Sequence, residues 1–481
     1  MVEATRKLLK DSKTARWLAL VMLALMMFFA YMFVDILSPL QSLLETTRGW
    51  DPKAYGHYQG SETFLNVFVF FLIFAGIILD KIGVRNTALL SGVVMIIGAS
   101  IKYYAVSPMF AGSSLDTALQ NTWNFFPFYE GMPSSAKLAA MGFMLFGCGV
   151  EMAGITVSKG IVKWFKGKEM ALAMGLEMAI ARIGVAAAVL ISPRLAALGG
   201  LKDPSRPILF TVILLFIGFI CFLTYFFMDR KLEREMGDSG EEPEEPFHVK
   251  DLGKIFSSGV FWLVALLCVL YYSAIFPFQK YAINMLQCNL GFSEGNAGLV
   301  FSVFPLGAAA ITPFLGGFLD YKGKGATMLI FGALLLILCH VTFALALPAL
   351  KETEYLGTIV AFAAIVLLGI SFSLVPASLW PSVPKLVDNR LLGSAYAVIF
   401  WIQNIGIFAF PMLIGNVLSS VNAGVTDPLS YNYTIPMLIF ASCGVVALIL
   451  GLALKALDKK KGYGLEKPNK VKEKPSTIRL Q

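Results

Sequence analysis

Apolar runs of about 20 residues recur along the whole chain, separated by shorter polar segments. A run of this length can cross a bilayer as a helix, and in hydrocarbon a helix satisfies all of its own backbone hydrogen bonds. The sequence therefore predicts an all-α membrane protein with twelve transmembrane helices. We number these crossings in chain order and place them at 17–43, 57–79, 86–106, 136–161, 169–198, 207–228, 259–285, 295–319, 326–347, 357–383, 391–418 and 434–456.

Composition and charge agree with this class. The chain is 57% hydrophobic and 15% charged, which is more apolar than a soluble protein of its length. Most of its 39 lysines and arginines lie before crossing 1, after the even-numbered crossings, or behind crossing 12. Basic loops stay in the cytoplasm, so both termini are predicted to be cytoplasmic, and the net charge of +8 indicates topology rather than a nucleic-acid partner. The six cysteines form no paired motif, and no metal or other cofactor is expected.

A short motif repeats at half the length of the chain. The pattern G-x3-D-x2-G at 76–83 recurs at 316–323, which is 240 residues later in a chain of 481. A long polar segment with an acidic centre separates crossings 6 and 7. Duplicated helical halves with a substrate site between them are typical of secondary transporters. We predict two pseudo-symmetric six-helix halves, at 1–228 and 259–456. A cytoplasmic linker at 229–258 joins them, and a basic cytoplasmic tail follows at 457–481.

Two charged residues lie near the middle of predicted helices. Glu151 is on crossing 4 and Arg182 is on crossing 5, and at about 1.5 Å per residue both lie roughly 20 Å from the basic turn between those helices. A charge at that depth is costly, so both residues are functional candidates. The alternative is a structural salt bridge, although a buried ion pair adds little net stability. Small or polar residues share the two faces at helical spacing, as expected of a cavity wall: Gly147, Gly154, Ser158, Gly175 and Met178.

A carboxylate that faces a guanidinium suits a zwitterionic substrate. The charged ends of a dipeptide are roughly 6–7 Å apart at about 3.3–3.6 Å per residue, and arginine offers a two-pronged donor for its carboxylate. Helix–helix hydrogen bonds are the alternative role for the uncharged residues nearby. The predicted substrate site is completed by aromatic and amide residues of crossings 1, 7 and 11: Tyr31, Tyr271, Tyr272, Tyr396, Gln403 and Asn404.

Other polar residues interrupt the apolar runs. Glu177 is about 140° from Arg182 around an ideal helix, so the two are not expected to share a face. Asp35 is predicted either to line the outer vestibule or to cap a helix end in water. Lys280 is predicted to extend towards the outer surface. Lys102 and His340 fall on crossings 3 and 9 and are predicted to be structural.

The loop between crossings 2 and 3 carries a recognisable signature. The segment GIILDKIGVRN at 76–86 resembles the loop 2–3 motif of the major facilitator superfamily. The resemblance implies the major facilitator fold, transport by alternating access, and a loop that acts as a conformational latch. In physical terms, Lys81 and Arg85 can pair with acidic groups of the opposing half; the alternative is that the loop is only a topology signal. The latch residues are Gly76, Asp80, Lys81, Gly83 and Arg85, with Asp320 as the counterpart in the second half.

A narrower resemblance lies around the two intramembrane charges. The segments WFKGKE at 164–169, ARIG at 181–184, LLGSAY at 391–396 and QNIG at 403–406 resemble the lysosomal dipeptide transporter family and its prokaryotic relatives. The resemblance implies facilitated (uniport) transport of dipeptides with broad side-chain tolerance. Carried over to this chain, it implies that Glu151 meets the amino end of the peptide and that Arg182 meets its carboxylate.

Two other functions remain open at this point. One is a proton-coupled carrier of small organic anions or amino acids, with Arg182 as the anion site and Glu151 as the proton site. The other is a membrane receptor that binds without transporting. An enzyme is not expected, since no nucleophile–base set is visible. The expected partners are a small substrate and the lipid bilayer; an accessory subunit and the role of the outer loop 107–135 are open. The N-terminal tail lacks an acidic dileucine signal, which favours the plasma membrane of a prokaryote over a lysosomal membrane.

Overall fold

A computed structural model describes residues 8–166, 168–236, 252–387 and 391–468. Every regular element in these ranges is a helix. The acidic centre of the predicted linker, Gly167 of the 164–169 segment and most of the predicted basic tail lie outside the described residues. Crossing 6 continues as an unbroken helix to Met236, so the first eight residues of the predicted linker 229–258 are helical.

The first half is built from the first six crossings. Crossing 1 is the helix Lys13–Asp35, extended by Gln41–Arg48 after a short 3-10 turn. Crossings 4, 5 and 6 are Ser134–Phe165, Met170–Ala196 and Ser205–Met236. Crossings 2 and 3 share one long helix and are described next.

Crossing 2 is broken twice, whereas the sequence predicts one continuous helix. It consists of Pro52–Ser61, Phe64–Phe68 and the beginning of the helix Phe71–Val106. Gly83 interrupts this last helix with φ 79° and ψ 166°, a conformation that favours glycine, and the chain reverses there into crossing 3. Eleven helices among the described residues are long and apolar enough to span a membrane, and the broken crossing 2 makes twelve.

The second half repeats the plan. Its crossings are formed by Gly259–Leu290, Glu294–Lys322, Gly325–Val341 with its extension to Ala349, Glu354–Leu379 with its extension to Leu386, Leu392–Val421 and Thr434–Lys461. Gly323 ends crossing 8 with φ 72°, at the position that corresponds to Gly83 in the sequence repeat. The equivalent turns thus have the same left-handed φ in both halves.

The two halves meet along crossing 2 with crossing 11 and along crossing 5 with crossing 8. At the first seam the backbones almost touch. A Cβ added to Gly415 would lie 2.4 Å from the carbonyl oxygen of Pro52 and 3.0 Å from the Cα of Gly56. Only glycine permits an approach this close, so the seam requires glycine at both positions.

Contacts between the halves are concentrated on one side of the molecule. We call the side with the chain termini the terminal side and the opposite one the far side. On the far side, ion pairs join Asp35 to Lys280 and Glu294 to Lys202, and Tyr431 donates a hydrogen bond to Glu45. On the terminal side, five ion pairs each lie within one half: Arg16–Glu169, Arg85–Glu233, Lys159–Asp80, Lys163–Asp229 and Lys324–Glu466. The far side is therefore closed and the terminal side is open between the halves.

The outer loop 107–133 packs on the protein itself. Its Phe126 ring lies 6.3 Å from Phe64 of crossing 2 and 5.7 Å from Phe408 of crossing 11. The carbonyl oxygen of Pro127 contacts the His57 ring. The loop, whose role the sequence left open, thus lies over the far-side seam between the halves.

Candidate functional site

Arg182 lies on crossing 5 and extends to the other half. Its Nη1 donates to the carbonyl oxygen of Ala308 at 2.9 Å and to Oγ1 of Thr312 at 2.6 Å, both on crossing 8. The guanidinium lies 5.0 Å from the centre of the Phe372 ring. Its Nε and Nη2 have no hydrogen bond to any described residue, so two donors of the fork remain available.

Glu151 does not pair with Arg182. Its partly exposed side chain makes no ion pair or hydrogen bond within the described ranges. The alternative prediction of a structural Glu151–Arg182 salt bridge is thus wrong for this conformation, because the guanidinium bonds to crossing 8 instead. In this conformation, the carboxylate of Glu151 and two donor atoms of Arg182 are without hydrogen-bond partners among the described residues.

Tyr31 of crossing 1 lies close enough to several intramembrane charges to interact with them electrostatically. Its hydroxyl is within electrostatic range of Glu151 and of Glu177. It is also within range of Arg182 and of Tyr272 in the second half. The prediction that Glu177 and Arg182 do not share a face stays a prediction, and Tyr31 on crossing 1 is within electrostatic range of both residues.

Most small or polar residues of the predicted cavity wall on crossings 4 and 5 are not packed against other helices. Gly154 and Gly175 have open space where a Cβ would stand, and the side chains of Ser158 and Met178 are exposed. Gly147 is the exception. A Cβ there would lie 1.9 Å from a backbone carbonyl of crossing 2, so this glycine serves close helix packing and not the cavity.

Aromatic residues of the second half form a connected group beside Arg182. Trp380 Nε1 donates to the hydroxyl of Tyr272 at 3.3 Å, and the hydroxyl of Tyr396 donates to the carbonyl oxygen of Trp380 at 3.2 Å. Tyr272 and Tyr396 thus belong to one cluster around Trp380. Tyr271 does not: it is fully buried, and its hydroxyl donates to the carbonyl oxygen of Leu329 on crossing 9, away from the cavity.

The two amides of crossing 11 differ in role. Gln403 Oε1 accepts a weak hydrogen bond from the Cys268 thiol at 3.4 Å, which is the helix–helix contact given as its alternative. Asn404 is 3% exposed and lines a cavity of about 50 Å³ together with Asn66 and Trp401. Neither amide contacts Arg182 or Glu151 in this conformation.

Glu62 is a charged residue of the membrane region that the sequence reasoning missed. It lies at the first break of crossing 2, where its backbone carbonyl packs against Gly147. Its side chain is within electrostatic range of Glu151 and of Lys280. The signal that could have identified Glu62 was a glutamate inside an apolar run. Ser61 and Thr63 on either side, however, make the segment resemble a polar loop.

The far-side ion pair is buried. Lys280 Nζ lies 2.8 Å from Asp35 Oδ1, and their side chains are 8% and 6% exposed. Ser38 also donates to Asp35, at 3.1 Å. Asp35 is thus neither a vestibule residue nor a helix cap, and Lys280 does not extend to the surface; both hold the closed side together.

The predicted latch makes its contacts within the first half. Arg85 forms an ion pair with Glu233 of crossing 6, and Asp80 forms one with Lys159 of crossing 4 at 2.8 Å. The prediction of pairing with the opposing half is wrong here, because the halves are apart on the terminal side. Lys81 is exposed, and Gly76 has open space around its Cα. Asp320 lies three residues before Gly323, near the end of crossing 8.

The N-terminal segment is tied to the turn between crossings 4 and 5. Arg16 Nη2 lies 2.9 Å from Glu169 Oε2, and Lys168 forms an ion pair with Asp11. A hydrogen bond from its own backbone N–H and the Arg16 guanidinium hold the pKa of Glu169 below its ordinary value. Among the described residues, no group of histidine, cysteine, aspartate and glutamate could hold a metal ion.

The chain can now be compared with known proteins. Residues 23–411 and 281–479 match the sequence profile described as Major Facilitator Superfamily. The chain belongs to the Major Facilitator Superfamily. It is therefore a multi-pass membrane transporter and not an enzyme, and the predicted all-α fold of twelve crossings in two halves is confirmed.

Within the superfamily, the chain is similar to curated dipeptide transporters. It is 25% identical over 458 residues to the lysosomal dipeptide transporter MFSD1 of Danio rerio, a match that covers 94% of this chain and 88% of the relative. It is 30% identical over 297 residues to MFSD1 of Homo sapiens and 29% identical over 297 residues to MFSD1 of Bos taurus. In each of these two matches, 60% of this chain spans 61% of the relative.

Solved superfamily members share the fold at low sequence identity. The nucleoside transporter NupG matches with a TM-score of 0.64 and 13% identity, over 91% of this chain and 99% of that one. A bacterial homolog of the human lysosomal transporter Spinster, in an inward-facing and unoccupied conformation, matches with a TM-score of 0.63 and 16% identity, over 93% and 98% of the two chains.

Proposed function

We propose that this protein is an alternating-access transporter of dipeptides with broad side-chain tolerance. In this proposal, Arg182 binds the carboxylate of the peptide and Glu151 binds its amino group. Tyr31, Tyr272 and Tyr396 line the space between them. Facilitated transport down the substrate gradient is the simplest form of this activity.

The availability of the Arg182 fork is the observation that supports this proposal most strongly. Nε and Nη2 are free to bind both oxygens of a carboxylate side-on, while Nη1 stays bonded to crossing 8. On the neighbouring crossing, Glu151 offers a carboxylate that has no hydrogen-bond or ion-pair partner among the described residues. Opposite charges that do not satisfy each other suit a ligand with opposite charges at its two ends.

The relatives supply the step from zwitterion to dipeptide. Proteins named lysosomal dipeptide transporter match up to 94% of this chain. Nothing in the aromatic group around Tyr272 offers a charge to a peptide side chain, which agrees with tolerance at those positions. We further propose that the terminal side, with its basic residues, faces the cytoplasm, so that the far side is the outer side.

Thermal stabilisation of the purified protein by a ligand panel tests the proposal. The panel contains dipeptides, single amino acids, desamino peptide analogues and monocarboxylates. We expect dipeptides to raise the melting temperature most, because only they reach both charged groups. Stabilisation by monocarboxylates with no effect of any dipeptide would contradict the proposal and favour an organic-anion carrier.

The variant Glu151→Gln separates recognition from structure. It should weaken the response to dipeptides much more than the response to desamino analogues, since only the former carry an ammonium group. Equal losses for both ligand types would argue against an amine site at Glu151. Counterflow of labelled dipeptide in proteoliposomes then distinguishes a transporter from a receptor.

A further inference from the structure

A cavity of about 240 Å³ lies on the far side of the first half. Its walls come from crossing 2 at 64–65, from crossing 4 at 141–145 and from the outer loop at 123–128, and every residue that lines it is apolar. No residue of the candidate substrate site lines this cavity. The proposed transport therefore leaves it without a role.

The cavity lies on a different face of crossing 4 from the candidate site. The partly exposed lining residues of this helix are Met141 and Leu145, one turn apart. On an ideal helix they are about 80° and about 120° away from Glu151. A ligand of the cavity is thus not a second way of binding the transported substrate.

The cavity reaches into the hydrocarbon layer of the membrane. At about 1.5 Å per residue, Leu145 lies roughly 16 Å along crossing 4 from its first residue, Ser134. The helix of 32 residues is about 48 Å long, whereas the hydrocarbon layer is about 30 Å thick, so a centred helix extends about 9 Å beyond it at each end. Leu145 is therefore inside the hydrocarbon layer.

The loop that covers the cavity lies at the boundary of that layer. Its Trp123, Phe125 and Phe126 side chains are 44%, 61% and 54% exposed. So many exposed aromatic rings are unfavourable in water, but aromatic side chains are enriched where a membrane meets water. The cavity thus extends from the membrane interface inwards, and its ligand enters from the bilayer.

The loop is fixed in place over the cavity. Lys137 of crossing 4 is fully buried, and its Nζ donates to the carbonyl oxygens of Leu119 and Thr122 at 3.0 and 2.9 Å. The next residue, Trp123, has φ 58°, a strained conformation for a residue with a side chain. The contact of Pro127 with crossing 2 fixes the other end of the segment. A site that is formed before its ligand arrives binds with a smaller ordering cost.

We propose that this cavity binds the end of an acyl chain of a lipid from the far-side leaflet. Its apolar lining offers no partner to a lipid headgroup or to a peptide. Its volume is below the roughly 300–1,000 Å³ of sites for drug-sized ligands, which suits the end of a chain and not a whole lipid. At the depth of Leu145 the bilayer itself supplies such chains, whereas a soluble partner does not reach it.

The bound chain supports closure of the far side. Phe126 of the loop lies 6.3 Å from the ring of Phe64, which also lines the cavity, and 5.7 Å from the ring of Phe408 in the second half. A chain beneath Phe126 keeps this ring in contact with both halves. Lipid should therefore slow opening of the far side.

Photolabelling of the purified full-length protein tests the site. The probe is phosphatidylcholine with a diazirine near the end of one acyl chain, added to the protein in detergent. After illumination, mass spectrometry should find labelling at 123–128 and 141–145 that exceeds labelling of the surface of crossing 6. Excess unlabelled phosphatidylcholine should remove this difference.

The variant Leu145→Trp fills the cavity and should reduce its labelling to the level of crossing 6. Leu214→Trp is the matched control, because Leu214 is also partly exposed and lies at a similar depth on crossing 6. It should be labelled like wild type. If Leu145→Trp does not fold, Met141→Trp fills the same cavity from the next turn.

A thiol on the far side tests the effect on closure. Ser42→Cys supplies it, and the six native cysteines are buried. Phosphatidylcholine should slow its reaction with a thiol reagent severalfold, and Leu214→Trp should keep this effect. With Leu145→Trp the reaction should be slow with or without lipid, because the indole takes the place of the chain. With Phe126→Ala it should be fast in both cases.

Each contrary result has its own meaning. Labelling that is no stronger in the cavity than on crossing 6, or that Leu145→Trp leaves unchanged, would reduce the site to ordinary lipid contact and overturn the proposal. Cross-linking of the cavity to a second copy or to another protein in place of lipid would overturn the acyl chain as its ligand. A thiol reaction that lipid does not change would overturn the effect on closure.

Discussion

The ammonium group of Lys280 lies 2.8 Å from the carboxylate of Asp35, with one residue in each half of the protein. Both side chains are more than nine-tenths buried. Removing one partner of a buried pair leaves an uncompensated charge, which costs about 3–5 kcal/mol. This relationship makes far-side closure dependent on two residues that are 245 positions apart in the sequence.

Lys280→Met should therefore destabilise the protein, or shift it towards an open far side, because Asp35 remains buried and alone. The double variant Asp35→Asn, Lys280→Met removes both charges and should recover much of the loss. Thermal unfolding of the purified variants measures both effects. If the stability lost in the double variant equals the sum of the stabilities lost in Lys280→Met alone and in Asp35→Asn alone, the pair is not coupled.

Arg182→Lys should keep the fold and lose most of the stabilisation by dipeptides. Lysine preserves the charge but has no planar fork to bind a carboxylate while still bonding to crossing 8. Loss of one charge-assisted hydrogen bond, worth about 1.5–3 kcal/mol, corresponds to affinity roughly 10- to 100-fold weaker. Ligand titration followed by thermal shift measures this, with Arg194→Lys at an exposed position as the control.

Gly415→Ala should hold the halves apart on the far side. Its Cβ would meet the carbonyl oxygen of Pro52 at 2.4 Å, a backbone atom that cannot rotate away. A thiol placed at Ser42, which is 8% exposed near the far end of crossing 1, should then react faster with a reagent added from the far side. Gly317→Ala, where a Cβ has no neighbour within 4 Å, should leave that rate unchanged.

Glu466→Ala should loosen the turn between crossings 8 and 9. Glu466 accepts hydrogen bonds from the backbone N–H and the hydroxyl of Thr327, at 2.8 and 2.9 Å, and its own carbonyl oxygen accepts from Lys324 N at 3.0 Å. Loss of the carboxylate leaves a helix N-terminus unsatisfied, at a cost of about 1–3 kcal/mol. Thermal unfolding should detect this, and an unchanged midpoint relative to Glu352→Ala, at an exposed position, would contradict it.

The fold could be predicted because its main determinants are local in sequence. A run of about 20 apolar residues must be a helix in a bilayer, whatever it packs against. The repeated glycine at 83 and 323 predicts equivalent turns, and both have positive φ. The breaks of crossing 2 were not predictable in the same way, since Phe70 is held in its left-handed conformation beside crossing 11, where its ring stacks on Trp401 at 5.3 Å.

The candidate site residues could be proposed from the sequence more readily than their contacts. Arg182 and Glu151 are identified by the cost of burying charge, a property of each residue alone. Their partners depend on which side of the molecule is open, and a sequence does not encode one conformational state. Glu177 shows a second limit, because an ideal helical wheel gives the angle between two side chains of one helix but not which residues of other helices lie near them.

The hydrogen bonds from Arg182 to crossing 8 have a consequence for the step in which a transporter changes conformation without substrate. A bare guanidinium would have to stay solvated while the cavity closes around it, which would slow the unloaded step. In the proposed mechanism, the hydroxyl of Thr312 and the carbonyl oxygen of Ala308 instead take the place of part of the substrate beside Arg182. Removing that hydroxyl, as in Thr312→Val, should therefore slow net uptake, which needs the empty return, more than exchange, which does not.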